Sequence, residues 1–242
     1  MPIRLLPNLS GSRVFPSEIK SKIMSSTHWD NESFSRYFKG HNFTGPLPFR
    51  FFFFEKLLAF LLLVLIFPVF SLLVVLVKCT SRGPVFFKQV RTGYRGKIFS
   101  VLKFRTMVEN AEAATGATLS WQGDPRITPI GNILRKCHLD ELPQLINIIN
   151  GEMSFIGPRP ERPIFTDKYN AEIEHYALRE LVRPGITGLA QICCPYDATA
   201  AQKLKFDLLY AFNRRSLLLN FMIAYYTVKK MLFFKKSIGF NA

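Results

Sequence analysis

The run from Leu57 to Val77 contains no charged residue, and it limits what this chain can fold into more than any other feature. As a straight helix its 21 residues would extend about 32 Å, enough to cross a hydrocarbon core. Pro68 stands in the middle of the run, where it removes a backbone donor and favours a kink. Both flanks are basic. Residues 1–50 carry seven Lys/Arg, and 78–105 carry Lys78, Arg82, Lys88, Arg91, Arg95, Lys97, Lys103 and Arg105. Loops of that kind are retained on the cytoplasmic face. A helix that enters, bends at Pro68 and leaves by the same face satisfies both flanks. A simple spanning helix satisfies the length equally well, and these features alone do not separate the two.

Outside that block the chain reads as a soluble, basic protein. Its 242 residues suffice for one good-sized domain plus a tail. The formal net charge of +15 suits nucleic acid, anionic headgroups or phosphorylated substrates. Cys79, Cys137, Cys193 and Cys194 show no metal-ligand spacing and no secreted disulfide framework, which points to free thiols in a reducing compartment. The polar opening lacks the pattern of a signal peptide. Residues 1–50 read as a weakly ordered extension with a short helix around Glu18–Met24.

Short β-prone runs at 85–90 and 98–104, joined by Thr92-Gly93-Tyr94-Arg95-Gly96, predict a hairpin. A helical pattern at Met107–Ala114 precedes a Gly/Asp/Pro-rich loop at 116–131. Residues 139–149 predict an amphipathic helix that starts with carboxylates, with Pro143 in its first turn. Further helices are expected at roughly 165–179 and 199–212, with irregular chain after Arg183-Pro184-Gly185. Segment 216–234 is apolar but interrupted by Asn220 and Lys229-Lys230. It fits an amphipathic helix in the headgroup layer, or one packed into the core.

Asp140 and Glu141 are adjacent carboxylates at a predicted helix start. Such residues commonly complement the helix dipole. They point about 100° apart on a helix, so they suit divided roles, one attacking phosphorus and the other holding a divalent cation. Lys103, Arg105, Arg135, Arg159 and Arg162 supply cations, and Arg159 is stiffened between Pro158 and Pro160. Each alone reads as a surface charge; only their combination suits a phosphate site.

Four segments then stand out: Lys103-Phe-Arg-Thr-Met107, Leu139-Asp-Glu-Leu-Pro-Gln144, Gly151-Glu-Met-Ser-Phe-Ile-Gly-Pro-Arg-Pro-Glu161 and Arg183-Pro-Gly-Ile-Thr-Gly188. With Gly83–Gln89 and Asp124–Thr128 in the same order, they resemble the bacterial sugar transferase family, the monotopic polyprenyl-phosphate phosphoglycosyl transferases, over about 55–236. The resemblance implies a re-entrant helix broken at Pro68 and a cytoplasm-facing domain on the bacterial inner membrane. It implies that Asp140 attacks the sugar-bearing phosphate of a UDP-sugar, expelling UMP, and that polyprenyl phosphate then takes the sugar phosphate. It further implies Mg2+ at Glu141, phosphate contacts from Lys103, Arg105, Arg135 and Arg159, and nucleotide placement by the Pro158-Arg159-Pro160 loop. The implied partners are a UDP-sugar, polyprenyl phosphate and membrane lipids, not nucleic acid, with homo-oligomerisation left open. Larger family members add four membrane helices upstream; this chain resembles the compact form.

Several residues depart from the family pattern. Phe67 replaces a Ser before the membrane proline, and His138 replaces a capping Ser. Cys193-Cys194-Pro195 replaces a polar stretch, and Asn220 stands where Asp is common. Competing readings are a basic membrane-tethered binding protein, indifferent to Asp140→Asn, a catalytically inactive family member with the altered Cys193-Cys194 region, and an acyltransferase, for which no His or Ser base arrangement is present. The expected architecture is a helix-rich α+β protein. It comprises an extension (1–50), a re-entrant membrane helix (51–78), a catalytic domain (79–236) with a small hairpin and interfacial amphipathic helices, and a tail (237–242).

Overall fold

The computed structural model describes residues 49–109, 111, 121, 123–195 and 197–232. Residues 1–48 of the expected extension, including the helix around Glu18–Met24, lie outside them, as does the tail at 237–242. The apolar run forms two helices, α1 (Phe49–Leu65) and α2 (Phe67–Thr80), bent by 66° at Ile66. Pro68 lies in the first turn of α2, where a missing N–H is tolerated, and it cannot donate back to the preceding turn. Hydrogen bonds from Ile66 N–H to Leu62 O (2.9 Å) and from Phe70 N–H to Ile66 O (2.8 Å) keep both helices regular up to the joint. No single described helix is long and apolar enough to cross a membrane; α1 and α2 pass only as a bent pair.

Between Leu57 and Val77 the pair is apolar all round, but only its inner face is covered. Ala59 packs with Val101, Leu145, Ile148 and Met153, while Phe70, Leu73 and Val77 pack with Phe104 and Leu134. Each fully buried side chain of this kind contributes about 1.5–3 kcal/mol. At the bend, Val64, Leu65 and Phe67 remain exposed, Leu65 by 75%.

The hairpin forms as expected from strands β1 (Phe86–Thr92) and β2 (Ile98–Phe104). They are antiparallel from Phe86↔Phe104 to Thr92↔Ile98, with a 3-10 turn at Tyr94–Gly96 between them. The helix expected from Met107 does not start there. Met107 bridges Ile127, and Val108 N–H donates to Arg126 O at 2.8 Å, so a strand-like partner takes the groups a helix would use. Most of the remainder of that stretch lies outside the described residues.

The loop expected to run to 131 ends earlier. Helix α3 (Pro129–Lys136) is capped by Thr128, whose hydroxyl accepts from Gly131 N–H at 3.0 Å. Cap, Pro at the start and Arg135-Lys136 in the last turn are sequence signals for this helix. The helix expected over 139–149 is divided. Leu139–Glu141 forms a 3-10 turn, and α4 (Gln144–Asn150) follows with Pro143 just before it. Having no N–H, Pro143 begins the α-helix and leaves the carboxylates in the tighter turn ahead of it.

Strand β3 (Ser154–Ile156) precedes α5 (Pro163–Glu172). The helix expected to reach 179 gives way at Ile173, and after left-handed His175 (φ 65°) becomes a 3-10 turn, Tyr176–Leu181. Strand β4 (Gly185–Thr187), in a stretch expected to be irregular, pairs in parallel with β3 through Ser154↔Gly185 and Ile156↔Thr187. Gly157, Gly185 and Gly188 permit this approach: a Cβ on any of them would collide with backbone of the opposing segment.

Helix α6 (Leu189–Cys193) leads to α7 (Ala200–Asn213), whose capping box is made by Thr199 and Gln202, and then to α8 (Leu217–Leu232). On α8, Leu219 and Ile223 are buried and Thr227 meets Thr187 hydroxyl to hydroxyl at 2.7 Å. Leu217, Leu218, Phe221, Tyr225 and Val228 form an exposed stripe on the same helix. The architecture is a helix-rich α+β unit with two small sheets.

Candidate functional site

The 3-10 turn that carries the carboxylates is set between α3 and α4. His138, left-handed at φ 55°, turns the chain out of α3 and into it, with no capping hydrogen bond from its side chain to the turn. Position 138 is therefore a backbone corner, and a polar cap is not part of how the turn forms. From the opposite side, β2 brings Lys103. Its register is fixed by Asn147 of α4, which is buried. Asn147 Oδ1 accepts from Leu102 N–H at 3.0 Å, and its Nδ2 donates to Ser100 O at 2.8 Å. One side chain thus extends the edge of the hairpin and ties it to the helix following the carboxylates.

Glu141 Oε1 accepts from Lys103 Nζ and from Arg159 Nη2, both at 2.8 Å. Burial opposes ionisation of Glu141, but the Arg159 and Lys103 charges outweigh it and hold the carboxyl well below the usual range. The same contact raises Arg159 above its ordinary value. Asp140 is buried, and burial pushes its carboxyl up. Glu141 adds to the rise, while Lys103, Arg135 and Arg159 oppose it. Arg135 is held in place by a 2.8 Å hydrogen bond from its Nε to Thr106 Oγ1.

The structure therefore gathers Asp140, Glu141, Lys103, Arg135 and Arg159, which come from four separate stretches of chain. Arg105 lies elsewhere. It is buried, and its Nη2 donates to Ser81 O (2.7 Å) and Ser81 Oγ (2.6 Å), closing the C-terminal end of α2. Its Nε and Nη1 have no hydrogen-bond partner among the described residues. Arg162 stands just ahead of α5. Asn220 donates to Arg214 O at 2.8 Å, a helix-start contact. Cys193 is buried and Cys194 half-buried.

Pro158, Arg159 and Pro160 form a loop leaving β3. Its three carbonyls are each taken by an outside donor: Gly185 N–H on Pro158 O (3.0 Å), Arg179 Nη2 on Arg159 O (2.8 Å) and Arg91 Nη1 on Pro160 O (3.0 Å). Arg91 also hydrogen-bonds Gln89 and lies 3.8 Å from Glu161. Burial draws it down to about 10, Glu161 opposing and the Arg159 and Arg162 charges adding to the fall. Sequence reasoning singled out neither Arg91 nor Arg179 for this role, because nothing local distinguishes either from an ordinary surface arginine.

Two carboxylates among three cations make an arrangement suited to a multiply charged anion. Among the described residues no group of three or more His, Cys, Asp or Glu is placed to hold a metal. Asp140 and Glu141 are the carboxylate donors that this site itself offers.

Residues 50–234 match the bacterial sugar transferase family. A UDP-N-acetylgalactosamine-undecaprenyl-phosphate N-acetylgalactosaminephosphotransferase of Aeromonas hydrophila is 42% identical over 172 residues, covering 68% of this chain and 40% of the relative. A UDP-glucose:undecaprenyl-phosphate glucose-1-phosphate transferase of Escherichia coli is 49% identical over 140 residues, covering 57% of this chain and 30% of the relative. The exopolysaccharide production protein ExoY of Sinorhizobium fredii is 41% identical over 189 residues, covering 72% of this chain and 82% of the relative. The chain thus spans well under half of the first two relatives and most of the third. With the family match running from the second residue of α1 to just beyond the end of α8, this chain belongs to the bacterial sugar transferase family.

Proposed function

We propose that this protein transfers a sugar-1-phosphate from a UDP-sugar to undecaprenyl phosphate, giving undecaprenyl-diphospho-sugar and UMP, as the first membrane step of a surface glycan. The observation that carries the reading is Glu141 bound at 2.8 Å by both Lys103 and Arg159, with buried Asp140 beside it. Two of the relatives are named for this class of transfer.

Asp140 attacks the phosphorus that bears the sugar. A bond forms from its carboxylate oxygen to phosphorus, the bridging P–O bond breaks, and UMP leaves with that electron pair. A phosphate oxygen of undecaprenyl phosphate then attacks the same phosphorus and releases the Asp140 carboxylate. Lys103, Arg135 and Arg159 spread the negative charge of the phosphate oxygens, and the arginine fork suits bidentate contact. The Pro158-Arg159-Pro160 loop helps seat the nucleotide. Arg105, turned toward Ser81, joins this set only through a rearrangement, so its family-implied phosphate contact is the weakest supported of the four.

Two carboxylates and no further protein ligand suit Mg2+, which is bound by one or two carboxylates together with substrate phosphates. Glu141 would hold it, and its two present hydrogen bonds both use Oε1. When bound, the ion supplies charge neutralisation on the phosphate oxygens.

Re-entrant seating is part of the same proposal. The 66° bend and the exposed Val64, Leu65 and Phe67 at its apex favour insertion of the joint into one leaflet. The exposed stripe of α8 suits the headgroup layer, and the basic flanks favour the cytoplasmic face of the bacterial inner membrane for the site. A water-soluble donor and the phosphate of a lipid meet only at such a surface.

The test is UMP release from a panel of UDP-sugars by the full chain in nanodiscs, with undecaprenyl phosphate and Mg2+, beside Asp140→Asn. Release that needs lipid phosphate and disappears in the variant is the expected result. Equal release from the variant would remove Asp140 from its role, and none from any donor would sink the reading.

A further inference from the structure

The Pro158-Arg159-Pro160 loop is held through its acceptors. Two of its three residues have no N–H, so it has little capacity to bond within itself, and its carbonyls are instead bonded by Gly185, Arg179 and Arg91. Of these donors Arg179 is the one anchored on every side. Its Nε and Nη2 reach Asp207 Oδ2 at 2.9 and 2.8 Å, and its Nη1 donates to Tyr176 Oη at 3.0 Å. Nη2 also makes the bond to Arg159 O. Both charged side chains are less than a tenth exposed. Asp207 comes from the middle of α7, and the proposed reaction gives it nothing to do.

A buried ion pair is weak as a source of stability. Apolar residues of similar volume in its place are often neutral or stabilising. What apolar residues cannot do is hold a backbone carbonyl. A planar fork fixed at one edge by a carboxylate and at one corner by a phenol presents its remaining N–H in a set direction, which a lysine ammonium does not.

We infer that the buried Arg179–Asp207 pair is a positioning device: it fixes the Arg159 carbonyl so that the Arg159 side chain stays on Glu141 and at the phosphate site. The inference rests on the functional reading above for its consequence in catalysis, but not for its structural content. Arg179 and Asp207 are positioning residues here; neither touches the reacting atoms.

The test removes both charges at once, as Arg179→Met/Asp207→Leu in the full chain in nanodiscs, beside Arg159→Ala and the combination of all three. The charge-free pair is expected to unfold within a few degrees of wild type while kcat/KM for UMP release falls about 10- to 100-fold, the scale of an ångström-level misplacement. Adding Arg159→Ala to it should cost nothing beyond Arg159→Ala alone, because both act through one side chain. Wild-type kcat/KM in the charge-free pair, or losses that multiply, would overturn the inference, since a merely structural pair moves Tm and leaves that coupling at zero.

Hydrogen exchange supplies a readout independent of activity. Exchange across 157–162 should accelerate in the charge-free pair, with 144–150 unchanged. Unaltered exchange at 157–162 overturns the inference whether or not UMP is released. Accelerated exchange in a protein whose wild type releases no UMP supports the positioning role and sinks only the functional reading. Should the charge-free pair fail to fold, Asp207→Asn keeps the shape and is read by the same two measurements.

Discussion

Replacing Lys103 with Met separates the two things its ammonium does. Nζ lies 2.8 Å from Glu141 Oε1, and the two side chains are 19% and 13% exposed, so the pair is only slightly screened. Orphaning a buried ion outright costs about 3–5 kcal/mol. Glu141 is not orphaned, however, because Arg159 remains at 2.8 Å on the same oxygen. What is lost is one charge-assisted hydrogen bond, about 1.5–3 kcal/mol, and the Met side chain keeps the packing of the lysine stem. The expected destabilisation is therefore about 2 kcal/mol. In a domain of this size that lowers Tm by about 4–8 °C. Where the ammonium also meets a substrate phosphate, loss of a bond of the same strength costs about 10- to 100-fold in kcat/KM. Arg159→Met is the matched control. Arg159 is 45% exposed, so its pair with Glu141 contributes less to stability, while its loss to catalysis is at least as large. Thermal unfolding in nanodiscs and UMP release measure the two effects on the same samples. Lys103→Met with unaltered Tm and unaltered kcat/KM would refute the reasoning, and so would Arg159→Met losing more stability than Lys103→Met.

The pH dependence follows from the carboxyls. Asp140 must be ionised to attack, and burial raises it above its ordinary 3.8, so the acid limb of kcat/KM is expected at higher pH than for a solvated aspartate; a limb at or below 3.8 contradicts the burial argument. Glu141 is depressed in the fold, so its stabilisation is present above its ordinary value of 4.5 and is lost as pH falls through the folded value, measurable as a falling Tm on acidification that Glu141→Gln abolishes. Gly185→Ala puts a Cβ against Gly157 N and Thr187 O, and is expected to cost about 3 kcal/mol or more by chemical denaturation, with β3 and β4 forced apart. Pro68→Ala restores a donor at the 66° joint and is expected to straighten α1 and α2 toward a span. An added Phe49→Cys should then react with an impermeant maleimide from outside spheroplasts, and equal protection in both proteins would show that the bend does not depend on the proline.

The site was legible in the sequence to the extent that its members announce themselves locally. Asp140 and Glu141 are adjacent carboxylates in a recognisable motif, and Arg159 stands between prolines. Lys103 falls within a motif segment as well and Arg135 lies just ahead of the carboxylates, and all five come together in the structure. Arg105 carries the same motif credentials, yet it closes the end of α2 at Ser81. Two residues apart, Lys103 and Arg105 would share a side if both belonged to one strand. The strand ends at Phe104, so alternation no longer governs where Arg105 points. The burial of Asp140 and the bracing by Arg91, Arg179 and Asp207 had no local signal. Each depends on partners 20 to 70 positions away, as with Arg91 and Pro160, separated by 69.

By itself the sequence determined the elements whose causes lie within a few residues. Pro68 breaks the apolar run because a proline has no N–H to give the preceding turn, and two short β-prone runs around a Gly-containing turn make the hairpin. Thr199 with Gln202 starts α7 because its hydroxyl and amide satisfy backbone groups the helix leaves free. Tertiary structure decided where helical patterns stop and what they face. It took Met107 out of a helix by pairing it with Ile127, and drew β4 against β3 where three glycines let the backbones touch. It also fixed Arg159 over Glu141 through donors from β1, β4 and the turn at Tyr176–Leu181. Backbone hydrogen bonds to distant partners and the burial of charge beside charge are set by packing, and packing exists only once the chain has closed on itself.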